Sequence, residues 1–189
     1  MRKLGFLKQI YCCYFSKNTG DRALYRSVVQ NETRSILEIG ISSISRSVQL
    51  LELAHRYQSE PVQYCGIDLF EAKNSNSRQV GYKMAHVELK RTGANIKLLP
   101  GDPFSCLSRS VNLLDKVDLL IVGADYNEDS LDRSWFYLPR MLGPESTVLL
   151  EKEGPEGTRM FESKDFPYIE GLAEKSFSDY PKGNLPKAA

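Results

Sequence analysis

The sequence predicts an α/β fold with a doubly wound, mostly parallel sheet and helices on both faces. Short apolar runs alternate with apolar residues at helical spacing, and this alternation is typical of a parallel sheet covered by helices. We interpret five apolar runs as strands, at residues 36–39, 62–67, 96–99, 117–122 and 147–150. Because right-handed crossovers bring the carboxyl ends of parallel strands to one edge, binding residues are expected directly after these runs.

The bulk composition is that of a globular domain with an ordinary surface charge. The chain has 189 residues, of which 41% are hydrophobic and 26% are charged, enough for one substantial core. Lysine and arginine number 25 against 24 aspartate and glutamate residues, so no nucleic-acid partner is indicated. No apolar stretch approaches the roughly 20 residues of a membrane span, and we expect no membrane partner.

The four cysteines lack the spacing of a zinc site or a disulfide framework. Cys12 and Cys13 are adjacent, and Cys65 and Cys106 stand alone, so the sequence contains no Cys-x-x-Cys pair. Cysteines used in this way are typical of a reducing compartment. We therefore predict reduced thiols and a cytoplasmic protein.

The chain is expected to divide into three parts. Residues 1–34 form a helical extension, residues 35–178 the α/β domain and residues 179–189 a flexible tail. Within the extension, two helices are expected at residues 3–15 and 21–30. Such helices serve either as a lid over a cleft or as the surface of a homodimer, and the sequence leaves both open.

Two elements of the domain are predicted from weaker patterns. Val80, Met84 and Val87 recur at helical spacing and are expected to form the apolar face of a helix. Two short strands at residues 160–161 and 177 would extend the sheet, but their pattern is faint. The sheet is therefore expected to have five or six strands.

Glycine, serine and acidic residues mark the ends of the first two predicted strands. Glu38 and Gly40 close the first strand, and Ser42 and Ser43 open the following helix, whose N–H groups favour an anion. Asp68 ends the second strand, where an acid can hold a ribose diol. Each residue also has a purely structural interpretation, since glycine suits a tight turn and serine or aspartate caps a helix.

The third and fourth strands also end in aspartates. Asp102 precedes Pro103, a common pairing at the start of a helix, and a capping role is compatible with binding an adenine amino group. Asp125 follows the fourth strand and is a candidate for a catalytic base or a substrate contact, unless it only helps to cap the next helix. Asn127 is expected to cap the next helix.

Taken in order, these segments resemble the class I S-adenosylmethionine-dependent methyltransferases, and their small-molecule O-methyltransferase branch in particular. The resemblance covers residues 34–153, and the segments that carry it are ILEIG, YCGIDLF, LLPGDPF, VDLLIVGADY and LPRMLGPESTVLLE. It implies that S-adenosylmethionine is the cofactor and that a small molecule is the methyl acceptor. The reaction would be an in-line displacement at the sulfonium methyl group.

The resemblance also implies roles for particular residues. Gly40, Ser42 and Ser43 would face the methionine part of the cofactor, Asp68 would hold the ribose hydroxyls, and Asp102 would contact the adenine amino group. The remaining residues implied in cofactor binding are Glu38, Leu69 and Pro103. Leu69 or Phe104 would pack on the adenine ring.

This chain departs from the family pattern at two places. Ile44 stands where the family has the last glycine of the loop, and it brings a β-branched side chain close to the cofactor. Gly123, Glu151 and Lys152 stand where metal-dependent members have acidic or amide ligands. We therefore predict no metal site, because a hard cation needs convergent carboxylates.

Three functions compete on this reading. The first is a metal-independent methyltransferase, and the second is a non-catalytic binding or interaction protein that keeps the fold, with or without the cofactor. The third, a nucleotide-dependent oxidoreductase, is disfavoured because the chain lacks the G-x-G-x-x-G loop that cradles a pyrophosphate.

Overall fold

The computed structural model describes residues 5–70, 81–110, 116–154 and 158–178. The helices are α1 (Phe6–Ile10), continued by a π-helical turn (Tyr11–Phe15), α2 (Thr19–Gln30), α3 (Ile44–Tyr57), α4 (Tyr82–Lys90), α5 (Pro103–Ser110), α6 (Glu128–Leu131), continued by a 3₁₀ helix (Asp132–Arg140), and α7 (Phe166–Ser178). The strands are β1 (Ser35–Ile39), β2 (Gln63–Asp68), β3 (Asn95–Pro100), β4 (Leu119–Val122), β5 (Thr147–Glu153) and β6 (Arg159–Lys164).

The strands form one sheet in the order β3-β2-β1-β4-β5-β6. The first five run parallel, and β6 pairs with β5 in the antiparallel direction. The strand order reverses between β1 and β4, where Ile39 lies beside Ile67 on one side and Val122 on the other. The carboxyl ends on either side of this switch point are the place where such sheets bind ligands.

Helices cover both faces of the sheet, and each face has its own apolar cluster. Leu24 of α2 and Leu51 of α3 belong to the cluster on one face. Trp135 of the 3₁₀ helix and Ile169 of α7 belong to the other. This arrangement confirms the doubly wound α/β fold expected from the sequence, because alternate residues of each parallel strand face opposite layers.

The last described strand is longer than the sequence pattern indicated, and a helix stands where a further strand was expected. Residues 160–161 lie within β6, a full strand of six residues. Phe177, expected in a further strand, lies in α7 instead, so that prediction is wrong. The strand has a mixed pattern of exposed and half-buried residues, and this explains why its periodicity was weak.

Helix α4 is present, but it turns a different face inward. Met84 and Val87 are 57% and 43% exposed, whereas Ala85 and Leu89 are fully buried. The predicted apolar face is therefore wrong, and its third residue, Val80, lies outside the described residues. Ala85 and Leu89 both belong to the apolar cluster on this side of the sheet, so hydrophobicity alone does not decide which face of α4 is buried.

The N-terminal helices pack on the same face as α3. Gln9 donates a hydrogen bond of 2.6 Å from its side-chain amide to the Tyr57 hydroxyl at the last turn of α3. Tyr25 of α2 is 1% exposed, and its hydroxyl donates to Gln49 at 2.9 Å. The boundary at residue 34 and the tail at 179–189 stay predictions, and the tail lies outside the described residues. No helix in the described ranges has the length and apolar character needed to cross a membrane.

Candidate functional site

A tight turn after β1 lies at the switch point of the sheet. Gly40 adopts φ = +81°, a left-handed conformation that favours glycine. A Cβ at Gly123, directly after β4, would lie 2.4 Å from the Gly40 carbonyl oxygen. The two chain segments therefore approach each other backbone to backbone, and the contact requires the absence of a Cβ at Gly123.

Asp68 joins the turn after β1 to the turn after β2. It is fully buried, and its two carboxylate oxygens accept hydrogen bonds of 2.7 Å from the backbone N–H groups of Ile41 and Phe70. Phe70 adopts φ = +48°, and this carboxylate holds its N–H in place. The predicted ribose-binding acid thus lies at the expected strand end and organises the backbone around it.

Glu38 faces the helical layer of α3 rather than the strand edge. Its carboxylate accepts hydrogen bonds of 2.7 Å from the hydroxyls of Ser47 and Tyr64, and Arg46 lies 3.3 Å away. Burial and the Glu38 carboxylate raise the pKa of Tyr64 well above its ordinary value. Glu38 is therefore a structural acid, whose partners are other side chains of the protein.

Arg46 links Glu38 to Glu151, which lies on β5. Its guanidinium is 2.6 Å from Glu151 and 3.9 Å from Asp21, and the arginine is only 4% exposed. Burial disfavours the charged arginine, but Glu38 and Glu151 outweigh that effect and raise the pKa of Arg46. Burial likewise opposes the charge of Glu151, yet Arg46 and Arg159 lower the pKa of that carboxyl below its ordinary value.

The serines of the turn are engaged by this network and by the helix end. The Ser42 hydroxyl donates to Glu151 at 3.1 Å and accepts from Arg159 at 2.8 Å. Ser43 caps α3 by accepting from the Arg46 backbone N–H at 3.4 Å. We call the side chains of Glu38, Ser42, Arg46, Glu151 and Arg159 the buried ion network.

Asp102 begins α5 at the end of β3. It is exposed, and its carboxylate accepts a hydrogen bond of 2.9 Å from the Ser105 backbone N–H, while the buried Pro103 opens the helix. Desolvation raises the pKa of Asp102, but the hydrogen bonds from Ser105 outweigh it, and the pKa lies below the ordinary value. Leu69 is half-buried and follows β2 directly. It therefore lies near the same edge of the sheet, and its predicted contact with the adenine ring stays a prediction.

The segment after β4 has an aromatic side chain directly over the glycine turn. A Cβ at Gly40 would lie 2.8 Å from the Tyr126 ring. Asp125 is exposed beside it. Asn127 caps α6, accepting from the Ser130 N–H at 2.7 Å, which confirms its expected capping role.

A cavity of about 440 Å³ lies at the carboxyl ends of β4 and β5. Its walls combine aromatic and acidic side chains with the ends of the two strands. The residues that line it include Val122, Tyr126, Asp129, Trp135, Leu150, Glu151 and Glu153. The cavity therefore shares Tyr126 with the turn after β1 and shares Glu151 with the buried ion network.

Sequence reasoning missed three residues of this edge, namely Arg46, Arg159 and Tyr126. A signal for Arg46 was available, because an acid such as Glu38 inside an apolar run must be buried and needs a partner. Its partner occurs eight residues later, on the inward face of α3. Tyr126 and Arg159 carried no comparable signal, since their contacts depend on how distant strands meet.

No three histidine, cysteine, aspartate or glutamate side chains converge as a metal site would require, within the part of the chain that the structure describes. The absence of a metal from the reaction therefore stays a prediction.

Comparison with known proteins gives a likeness in structure but none in sequence. No family model matches the chain, and no curated protein matches it. An O-methyltransferase from Bacillus cereus, solved in complex with S-adenosylhomocysteine, is 14% identical, with a TM-score of 0.51 over 96% of this chain and 73% of that one. The O-methyltransferase TomG from Streptomyces achromogenes, involved in tomaymycin synthesis and solved with S-adenosylmethionine, is 12% identical, with a TM-score of 0.49 over 95% and 71%.

At 14% identity, the likeness to the Bacillus enzyme is a likeness of fold. It agrees with the six-stranded, mostly parallel sheet and the helices on both faces that the described residues form. The chain therefore has the class I methyltransferase fold, as its sequence segments predicted.

Proposed function

We propose that the protein is an S-adenosylmethionine-dependent methyltransferase that acts on a small-molecule acceptor without a metal ion. The observation that carries this proposal is the pairing of Gly40 and Asp68. A left-handed glycine turn and a buried acid meet at the switch point, joined by the hydrogen bond from Ile41 to Asp68. A cofactor with a ribose and a charged amino acid end suits this pair of features.

The residues at the ends of β2 and β3 fit the adenosine half of the cofactor. Asp68 accepts a backbone N–H with each carboxylate oxygen, and it ends the strand at which an acid holds a ribose diol in sheets of this kind. Asp102 would contact the adenine amino group while still capping α5, and Leu69 or Phe104 would cover the ring.

The methionine half fits only if the Tyr126 ring moves. This ring occupies the space directly over Gly40, and the Ser42 hydroxyl is held by Glu151 and Arg159. Backbone N–H groups at the start of α3 remain the natural partners for a carboxylate there. Binding of the cofactor would thus displace the Tyr126 ring and leave the backbone of the turn at Gly40 unchanged.

The cavity at the ends of β4 and β5 is our candidate acceptor site. It adjoins the turn through Tyr126, so an acceptor held there would lie next to the cofactor's reactive end. The cofactor, when bound, supplies an electrophilic methyl group on sulfur. The chain's own contribution is to orient the acceptor against Trp135 and exclude water, and the exposed Asp125 is our candidate for taking up the acceptor's proton.

Titration calorimetry with S-adenosylmethionine and S-adenosylhomocysteine tests the proposal directly. We expect both to bind, and we expect Asp102→Asn to weaken binding about fivefold, the effect of losing one hydrogen bond. Asparagine caps a helix as well as aspartate does, so this variant keeps α5 intact. Absence of any binding heat at millimolar ligand would refute the proposal.

Asp165→Asn is the matched control. Asp165 is an exposed aspartate that caps α7 by accepting from the Tyr168 N–H at 3.0 Å, on a helix that starts away from the switch point. This variant should bind both ligands like the parent protein. Equal losses in the two variants would mean that Asp102 acts only through helix stability.

One observation favours a second candidate, a binding protein that keeps the fold without transferring a methyl group. Tyr126 covers Gly40, and Ile44 is half-buried where the family has glycine. Such a protein would bind S-adenosylhomocysteine. It would not transfer the labelled methyl group of S-adenosylmethionine to any of the small molecules tested as acceptors. We also propose a cytoplasmic location, supported by four buried cysteines that are all free thiols.

A further inference from the structure

The first helical segment carries an apolar face that no part of the described chain covers. Phe6, Leu7, Tyr11, Tyr14 and Phe15 are 55–81% exposed, and we call these five side chains the outer aromatic face. They fall within ten consecutive residues of α1 and its π-helical turn. Scattered exposed apolar residues need no explanation, but a contiguous group marks an interaction surface.

The opposite side of this segment fixes it to the protein. Cys12 and Cys13 are 2% and 4% exposed and belong to the apolar cluster that includes α3. Gln9 bonds the Tyr57 hydroxyl, and the Arg56 guanidinium lies 5.7 Å from the centre of the Phe6 ring. The outer aromatic face is thus held in a defined orientation, and its exposure is not the consequence of a frayed end.

Charge is segregated in the same part of the chain. The first 30 residues contain six lysines and arginines and a single acid, Asp21, whereas the remaining residues contain 19 basic and 23 acidic side chains. Asp21 is buried and lies near Arg46. The side chains of Lys8, Lys17 and Arg26 are exposed, and Lys8 also lies 3.6 Å from the buried Glu52. The segment that carries the outer aromatic face therefore presents basic side chains at its surface, although the whole chain is nearly neutral.

We propose that the outer aromatic face attaches the protein to the surface of an anionic membrane, without crossing it. An interfacial helix of this kind buries phenylalanine, leucine and tyrosine at the level of the headgroups and places its lysines against anionic lipid. This proposal concerns attachment to a surface and is independent of the proposed methyl transfer. The sequence has no apolar stretch long enough to span a membrane, but this does not bear on attachment to the membrane surface.

A second copy of the chain suits the outer aromatic face less well than an anionic membrane does. Two-fold symmetry would bring each basic rim against the same rim of its partner. The only acid of the first 30 residues is buried, so Lys8 and Lys17 would meet like charges without an exposed acid from that segment to pair with. Like charges across an interface oppose association, whereas an anionic lipid surface removes this conflict.

Co-sedimentation of the full chain with vesicles tests the proposal. We expect binding to vesicles of phosphatidylcholine with added phosphatidylserine, little binding to phosphatidylcholine alone, and weaker binding at high salt. Leu7→Gln combined with Phe15→Gln should reduce the partition coefficient at least about tenfold. Lys8→Gln combined with Lys17→Gln should reduce it about 25-fold, since each basic residue contributes roughly a fivefold gain.

Lys175→Gln combined with Phe177→Gln is the matched control. Both residues are exposed on α7, which packs against the other face of the sheet. This variant should bind like the parent protein. No vesicle binding, equal losses in the control, or binding indifferent to phosphatidylserine would overturn the proposal. A concentration-dependent dimer that Leu7→Gln dissociates, without vesicle binding, would assign the face to a second copy instead.

Discussion

The two halves of the strand edge use their polar side chains in different ways. At the ends of β2 and β3, Asp68 and Asp102 accept hydrogen bonds from backbone N–H groups. At the ends of β1 and β5, Ser42 and Glu151 bond other side chains, chiefly Arg46 and Arg159. The first two acids therefore order the backbone of the turns that follow their strands, whereas the second pair belongs to a side-chain network closed within the protein.

The two halves of the strand edge therefore have different roles in the molecule. The half formed by β2 and β3 holds the two acids that the proposed function assigns to the adenosine half of the cofactor. The half formed by β1 and β5 ties the end of one strand to the other across the sheet, and Tyr126 covers it. Stability and binding should therefore respond separately to substitutions in the two halves.

The largest effect should come from Arg46→Met, which removes the cation at the centre of the buried ion network. Glu38 and Glu151 would lose their shared partner while remaining buried, and breaking a buried pair in this way costs about 3–5 kcal/mol. Urea unfolding would measure this as a lower free energy of unfolding.

Arg91→Met is the control for that variant. Arg91 is exposed and pairs with Glu88 one turn away on α4. Its loss should change the free energy of unfolding by no more than about 0.5 kcal/mol. Similar losses from both arginines would contradict the view that the network stabilises the edge.

Asp68→Ala should act on both stability and binding. It leaves the N–H groups of Ile41 and Phe70 without their acceptor, and it removes the proposed contact to the ribose. We expect binding of S-adenosylhomocysteine to weaken by about 1–3 kcal/mol, measured by calorimetry on the folded protein.

Asp118→Ala separates these two consequences. Asp118 also accepts two backbone N–H bonds, from Arg34 at 2.8 Å and Ser35 at 3.0 Å, but it does so beside the amino ends of the strands. This control should destabilise the protein and leave the affinity unchanged. A loss of affinity in Asp118→Ala would show that binding follows stability alone.

Tyr126→Ala should strengthen binding, because it removes the ring that lies over Gly40. If the binding-competent conformation requires this ring to move, its removal should raise the affinity for S-adenosylhomocysteine about tenfold, or about 1.4 kcal/mol. Tyr126→Phe keeps the ring and should bind like the parent protein. Weaker binding by Tyr126→Ala would mean that the ring contacts the ligand rather than blocking it.

The fold was predictable from the sequence because parallel strands buried on both faces give continuous apolar runs. The positions of Gly40, Asp68 and Asp102 followed from the ends of those runs, since the chain order fixes which edge they share. The face of α4 was not predictable from hydrophobicity, because Ala85 packs inward in preference to Met84.

The buried ion network was out of reach for a different reason. The carboxylate of Glu151 and the guanidinium of Arg46 are 105 residues apart in sequence and meet only because β5 lies two strands from β1. Arg159 reaches the same carboxylate because β6 folds back antiparallel on β5. The local sequence pattern indicates that Glu38 needs a partner. It does not show that Glu151 and Arg159 join the same network, because their positions depend on the order of the strands in the sheet.

The smallest effect should be the acid sensitivity that Glu151 confers, because burial offsets part of what Arg46 and Arg159 do to its pKa. A carboxyl whose pKa is lowered on folding stabilises the folded state above its ordinary value of 4.5, and this contribution is lost as the pH falls through the lowered pKa. Unfolding measured from pH 7 to below pH 4.5 should therefore show a steeper loss in the parent protein than in Glu151→Gln.

Salt distinguishes this buried group from an exposed one. Lys152 and Lys164 lower the pKa of Glu162 to about 2, but the Glu162 side chain is 42% exposed. Its contribution to acid sensitivity should disappear at high salt, because exposed charges are screened, whereas that of the buried Glu151 should remain. If salt instead removed the difference between the parent protein and Glu151→Gln, solvent would reach the β1–β5 half, and its ion network would not be closed within the protein.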